Sequence, residues 1–178
     1  MTADLPDTEE VEMSAREPLV SGWFRDKEEG LLMKCVWQRT VPRSESGEEA
    51  LRTVWLCEGK GGFSVRVEEA GADGQRQVLW HTRPIPEGLL RDDIRRVARV
   101  ARGIEEVARA MLGWISKSGI LEGAEGLELR VEVGEGVTVE ILCENRGDPR
   151  VGLTIWPLEL RLSLEDWDAV EALARALE

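Results

Sequence analysis

The stretch GLLRDDIRRVARVARGIEEVARAMLGWISK, residues 88–117, decides the fold. Its apolar residues recur in alternating steps of four and three, which predicts one long amphipathic helix with one buried side. The apolar stripe consists of Leu90, Ile94, Val97, Ala101, Ile104, Ala108, Met111 and Ile115. The same repeat also fits a helix that packs against its own copy, but packing on a sheet is the simpler interpretation.

Short strand patterns come before this helix. Alternating apolar and polar residues predict four strands, at 31–39, 51–58, 63–69 and 77–83. Glycine-containing turns at 59–62 and 72–74 separate consecutive strands, as expected for an antiparallel meander. A further candidate strand, 19–25, would lie at the edge of this sheet.

The pattern repeats after the helix. Strands are predicted at 127–133, 137–144, 151–156 and 158–162. Ser163 with Asp166 three positions later has the spacing of a capping box, and a short closing helix should follow. The fold class is therefore α+β: two antiparallel β-meanders, the first followed by a long helix and the second by a short C-terminal helix.

The domain organisation follows from length and charge. Residues 1–17 are rich in Asp and Glu and poor in large apolar residues, which predicts a disordered acidic tail. Residues 18–178 are expected to form a single α+β domain, in which 18–117 hold the first meander and its helix and 126–178 hold the second.

Composition limits the cellular setting. No apolar run is long enough to cross a bilayer and no basic, apolar leader opens the chain, so we expect a cytoplasmic protein that does not enter a membrane. The three cysteines lie far apart inside apolar runs and are interpreted as core residues. Scarce amides beside abundant Glu and Arg are typical of a thermophile.

The sequence gives little support to an enzyme. His81 is the single histidine, which removes most Ser-His-Asp, Cys-His and His-metal sites. The glycine-rich segment 59–62 lacks the Ser or Thr and the helix of a phosphate-binding P-loop. We therefore predict no catalytic residues, no metal and no cofactor.

The candidate binding surface is rich in arginine, although the chain as a whole has a net charge of −12. Arginines collect on the predicted helix and the strands before it, and the planar guanidinium suits both phosphate and base contacts. Tryptophans in the same strands are candidates for base stacking. The predicted nucleic-acid-binding residues are Trp37, Arg39, Arg52, Trp55, Arg66, Trp80, Arg83, Arg91, Arg95, Arg99 and Arg102. The alternatives for the arginines are a solvated helix face and a contact with the acidic outer sheet of a partner subunit.

The tryptophans have an alternative as well. Trp37, Trp55, Trp114 and Trp167 share the register of apolar neighbours, and such residues more often belong to the core than to a ligand platform.

The segment LRLSLEDW, residues 160–167, is similar to the last strand and helix start of the Whirly and PUR families of single-stranded nucleic-acid binders. In its acidic start, its Trp- and Arg-rich strands and its long central helix, the whole chain resembles ThermoDBP and ThermoDBP-related single-stranded DNA-binding proteins of hyperthermophilic archaea. This resemblance implies an archaeal, oligomeric protein that holds a single strand between apolar, aromatic and basic residues.

Two functions follow as hypotheses. The preferred one is a sequence-tolerant single-stranded DNA-binding homo-oligomer, a dimer or tetramer, with RNA left open as a ligand. The alternative is an acidic dimeric chaperone or protein–protein interaction module.

Overall fold

The computed structural model describes residues 16–18, 22–42, 48–118, 127–143 and 151–178. In chain order the strands are β1 Arg16–Pro18, β2 Trp23–Asp26, β3 Leu32–Pro42, β4 Glu49–Gly59, β5 Gly62–Gly71, β6 Arg76–His81, β7 Leu127–Gly134, β8 Val137–Cys143, β9 Val151–Trp156 and β10 Leu160–Ser163. Helix α1, Glu87–Ser118, lies between β6 and β7, and helix α2, Asp168–Ala176, closes the chain. The predicted α+β class with two antiparallel sheets is confirmed.

The first sheet contains six strands in the order β1-β2-β3-β4-β5-β6. The predicted edge strand 19–25 is in fact β2, and β1 pairs with its outer side. Asp26 explains why β2 folds back on β3, because its Oδ1 accepts the N–H groups of Glu28 at 2.9 Å and Glu29 at 3.1 Å. The first sheet is therefore wider than the sequence predicts.

Strand β4 lies at the centre of this sheet and is buried on both sides, since five consecutive residues, Thr53–Cys57, are buried. On one face, here called face A, Trp55 and Cys57 pack with Met33. On the other, face B, Val54 and Leu56 lie opposite Val67 and Val65 of β5. Consequently neither side of the sheet centre is open to solvent.

The β4–β5 hairpin depends on one glycine. Gly62 has a φ of +119°, and a Cβ atom there would lie 2.3 Å from the carbonyl oxygen of Ile85. Ile85 approaches so closely because it forms a two-bond bridge with Phe63, at 2.7 and 2.9 Å. Any side chain at position 62 would break this bridge.

Helix α1 has the predicted apolar stripe. All eight residues are buried except Met111, which is half-buried. The glycines of the β7–β8 turn lie beside the helix, since a Cβ on Gly134 would be 3.9 Å from Val100. Gly134, Glu135 and Gly136 all have positive φ. Glycine adopts this backbone conformation without strain, which accounts for the two glycines in the turn.

The second sheet has the order β10-β9-β8-β7. Its apolar residues, such as Val139, Ile141, Leu153 and Ile155, share one face, and exposed Glu128, Arg130 and Glu132 share the other. The predicted capping box is wrong in detail. The Ser163 hydroxyl donates to Asp166 Oδ2 at 2.7 Å and forms no side-chain cap hydrogen bond, and a 3₁₀ turn, Leu164–Asp166, precedes α2.

The described residues divide into two compact units, one ending at Glu87 and one beginning at Gly88. The first contains β1–β6, and the second contains almost all of α1 with β7–β10 and α2. Arg16 and Glu17 of the predicted acidic tail belong to β1. Residues 1–15 of that predicted tail and residues 19–21 of the predicted strand 19–25 lie outside the described residues, as do the segments 43–47, 119–126 and 144–150.

Candidate nucleic-acid interface

The predicted binding residues lie in separate places. Trp55 and Arg66 lie on face A of the first sheet, because they are directly paired across β4 and β5. Trp37, Arg39, Arg52 and Trp80 lie on face B of the same sheet. Arg91, Arg95, Arg99 and Arg102 lie on α1 in the second unit.

On face A, buried Arg66 is the centre of an ionic network that we call the Arg66 cluster, consisting of Arg66 with the buried Asp26 and Glu68 and the exposed Glu29. The Arg66 guanidinium is hydrogen-bonded to Glu29 and lies 3.5 Å from Glu68 and 3.8 Å from Asp26. Burial lowers the pKa of Arg66, but the hydrogen bond to Glu29 and the charges of Glu29 and Glu68 outweigh it and leave that pKa raised. Arg66 is only 3% exposed, so its guanidinium is not accessible to a phosphate.

Trp55 is tied to the same cluster. Its indole Nε1 donates to Glu68 Oε2 at 3.1 Å, and its ring meets Phe24 edge-on, with centroids 6.1 Å apart. The residue is 6% exposed. Both faces of the ring are therefore covered by protein, and Trp55 is a core residue, not a platform for base stacking.

His81 lies beside the cluster, where its Nε2 is 2.8 Å from the Ser64 hydroxyl oxygen. Ser64 is only 3% exposed. Burial and the positive charge of Arg66 lower the pKa of His81, and the carboxylates of Glu29 and Glu68 oppose that shift. Ser64 and His81 thus pair on face A of the sheet, and the surroundings favour the neutral form of the imidazole over the protonated form.

On face B, the two tryptophans lie at opposite ends of one cross-strand row. Trp37 pairs with Val54, Val54 with Val67, and Val67 with Trp80. The two valines are buried and the tryptophans are half-buried. The centre of face B is therefore covered, and only the outer parts of this row reach solvent.

The arginines of face B occupy the next row. Arg39 lies directly opposite Arg52, and Arg52 donates to Glu69 Oε1 from Nε at 3.1 Å. Both side chains are half-buried. Arg83 follows β6 and is exposed.

On α1, three of the four predicted arginines face solvent. Arg91 is half-buried, and its Nε donates to the Leu177 carbonyl at 2.6 Å. Arg95, Arg99 and Arg102 are exposed and lie on one side of the helix, as does Arg109. We call Arg95, Arg99, Arg102 and Arg109 the arginine flank.

The members of the arginine flank differ in their ionic partners. Arg99 Nε donates to Glu135 Oε2 at 2.8 Å, and Arg109 binds Glu105 at 3.0 Å one helical turn earlier. Arg95 and Arg102 make no ion pair with any described residue. They are seven residues apart, about 10 Å along the helix axis, so two guanidinium groups without an ionic partner among the described residues project from one side of the helix, two turns apart.

Trp114 is the aromatic residue that the sequence interpretation missed. It was expected in the core, yet it is 56% exposed, and exposed Lys117 lies one turn away. Helical geometry contains the signal, because a residue directly before Ile115 of the buried stripe is turned about 100° away from it. Apolar neighbours in sequence are not neighbours on a helix surface.

Other kinds of site have little support in the part of the chain that the structure describes. No group of three or more His, Cys, Asp or Glu side chains there is placed to hold a metal ion. None of the helices there has the combination of length and apolar character that a bilayer span requires.

One open cavity of about 500 Å³ lies at the hairpin ends of the first sheet, lined by Arg25, Gly30, Leu32, Glu58, Gly59 and Lys60.

Comparison of the chain with family models, curated proteins and solved structures gave no match.

Proposed function

We propose that the protein binds single-stranded DNA along the exposed side of α1, with the arginine flank contacting phosphates and Trp114 stacking on a base. The observation that carries the proposal is the combination, on one helix, of an exposed indole and two arginines that pair with no acidic residue in the described part of the chain. Guanidinium groups bind phosphate by paired hydrogen bonds. Aromatic rings accept any base, so the binding is tolerant of sequence.

The geometry of α1 places one cation beside the indole. Lys117 lies three residues beyond Trp114, about 5 Å along the axis and about 60° around it, whereas Arg109, five residues before Trp114, is about 140° around the helix. A strand that contacts both the arginine flank and Trp114 therefore has to wind partly around the helix. Single strands present unpaired bases for stacking and a duplex does not, which favours the single strand as the ligand.

The acidic net charge makes the binding local. With a formal charge of −12, the protein as a whole repels DNA, and attraction comes from a few exposed cations that displace counterions from phosphate. The exposed Arg99–Glu135 pair costs little to open, since such pairs contribute at most about 1 kcal/mol. A phosphate can replace that carboxylate on Arg99.

The test is a titration of a labelled mixed-sequence oligonucleotide at several salt concentrations. In Arg95→Gln with Arg102→Gln, two phosphate contacts are lost, and the slope of log affinity against log salt should fall by about 1.4. The matched control is Arg161→Gln with Arg175→Gln, which removes equal charge from exposed positions on β10 and α2. Equal slopes in the two double variants would refute the role of the flank.

A second titration isolates the indole. Trp114→Ala should weaken binding by about 1–3 kcal/mol, whereas Leu89→Ala, which removes an equally exposed apolar side chain from the same helix, should leave affinity unchanged. Quenching of tryptophan fluorescence by the single strand should be largely lost in Trp114→Phe. If the matching duplex binds as tightly as the single strand, the stacking proposal is wrong.

A further inference from the structure

The turn between β7 and β8 contains a glutamate in an unfavourable backbone conformation. Glu135 has a φ of +53°, in the left-handed region that residues other than glycine seldom adopt. Gly134 and Gly136 on either side accept a positive φ without strain, whereas a glutamate there is strained. Strained residues of this kind cluster at binding sites and switch regions, which directs attention to what the Glu135 side chain contacts.

The Glu135 side chain contacts the arginine flank. Arg99 Nε donates to Glu135 Oε2 at 2.8 Å, across 36 positions of sequence. The two side chains are 56% and 45% exposed. The turn is close to α1 at this point, because a Cβ atom on Gly136 would lie 3.8 Å from a guanidinium nitrogen of Arg96. The strained turn therefore presents a carboxylate to the middle of the flank.

Arg99 is the flank residue on which this carboxylate matters most. It lies four residues after Arg95 and three before Arg102, neither of which makes an ion pair with a described residue. A carboxylate and a phosphate both offer charged oxygen acceptors to a guanidinium. In the free protein Glu135 thus occupies the position on Arg99 that a phosphate of the strand would take.

We infer that Glu135 is an internal competitor of the DNA phosphate on Arg99, and that it makes the flank selective for linked phosphates over single ones. This inference rests on the proposed function. A single phosphate ion has to displace a carboxylate that the fold holds beside Arg99. A strand already bound at Arg95 and Arg102 brings its own phosphate to Arg99 at a high effective concentration, and so displaces the carboxylate more readily.

The exposure of the pair sets the size of the effect. Solvent and salt screen an exposed ion pair, so its opening opposes binding only weakly. Removal of the carboxylate should therefore strengthen the binding of a single strand by about two- to fivefold. It should also make Arg99 accessible to phosphate ions, so that the selectivity for a strand decreases.

Titration of the labelled mixed-sequence oligonucleotide tests the inference through a double-mutant cycle. Glu135→Gln keeps the size of the side chain and should tighten binding about two- to fivefold. In an Arg99→Gln background the same change should give no such gain, because the competing contact is already absent. The matched control is Glu132→Gln, which removes an equal charge from an exposed position on β7 and should bind as the unaltered protein does.

Competition by inorganic phosphate gives a second readout. Its inhibition constant against the oligonucleotide is measured at constant ionic strength, with chloride as the balancing anion. This constant should be lower for Glu135→Gln than for the unaltered protein, and unchanged for Glu132→Gln. An equal inhibition constant in all three proteins would overturn the selectivity that we assign to Glu135.

The outcomes separate this inference from the proposed function. Equal affinities of Glu135→Gln and Glu132→Gln, in a protein whose binding still depends on Arg95 and Arg102, overturn the inference and leave the proposed function intact. An equal gain with and without Arg99 overturns it too, since the carboxylate would then act through its charge alone. If neither the unaltered protein nor Glu135→Gln binds the oligonucleotide, both are refuted. Far-ultraviolet circular dichroism confirms that each variant is folded.

Discussion

The Arg66 cluster and the arginine flank use the same kinds of side chain in opposite environments. In the cluster, the Arg66 guanidinium and the Trp55 indole N–H face the carboxylates of Glu29 and Glu68, and the two residues are only 3% and 6% exposed. On α1, Arg95 and Arg102 have no described ionic partner and Trp114 is 56% exposed. Residue type therefore does not define a nucleic-acid surface; the availability of the donors and of the ring faces does.

The largest expected effect is at the centre of the cluster. Arg66→Met should destabilise the protein by about 3–5 kcal/mol, because carboxylates buried with the guanidinium lose their counter-charge. Arg95→Met makes the same change on the flank and should stay within about 0.5 kcal/mol. Urea denaturation followed by fluorescence measures both, and similar unfolding free energies in the two variants would remove the distinction between the regions.

The two tryptophans sharpen the comparison at a smaller scale. Trp55→Phe removes the indole donor of buried Glu68 and should cost about 1–3 kcal/mol of stability. Trp114→Phe breaks no described hydrogen bond and should change stability by less than about 0.5 kcal/mol. Thermal melts of the two variants test this directly. A destabilised Trp114→Phe protein would mean that this ring packs against structure and is not held ready for a base.

The smallest effect is a pH dependence confined to the cluster. The pKa of His81 is lowered in the fold, so below its usual value of about 6.5 the unfolded chain takes up a proton that the folded protein resists. The free energy of unfolding should therefore fall as pH drops below about 6.5, and this contribution should be constant above it. His81→Asn should show a smaller loss between pH 7.5 and pH 5.5 than the unaltered protein. An identical loss in both proteins would assign the pH dependence to other groups.

Local pattern is enough to predict most of the fold. The four-and-three spacing of Leu90, Ile94 and Val97 identified α1, and alternation with glycine turns identified the strands. Alternation also placed Arg66 on the opposite side of β5 from Val65 and Val67. The alternation does not show whether the Arg66 side of β5 is covered by other residues. That depends on distant contacts, because Glu29, which binds Arg66, lies 37 positions away in sequence.

The candidate site also contains residues whose exposure the sequence predicts and residues whose burial it does not. The exposure of Arg95, Arg99 and Arg102 follows from helical geometry, and the exposure of Trp114 could have been found by the same stepping. The burial of Trp55 could not, because it depends on a central strand whose two sides are both packed. A strand buried on both faces shows no polar alternation that would distinguish core from surface.

The strand order of the two sheets has a consequence for how the chain folds. Every described pairing in both sheets joins strands that are consecutive in the chain, so each sheet can assemble by successive local hairpins, a topology of low contact order that favours rapid folding. During synthesis, the first sheet has all its strands once residue 81 has left the ribosome. The bond from Arg91 to the Leu177 carbonyl spans 86 positions, so the second unit is completed only after residue 177 has been synthesised.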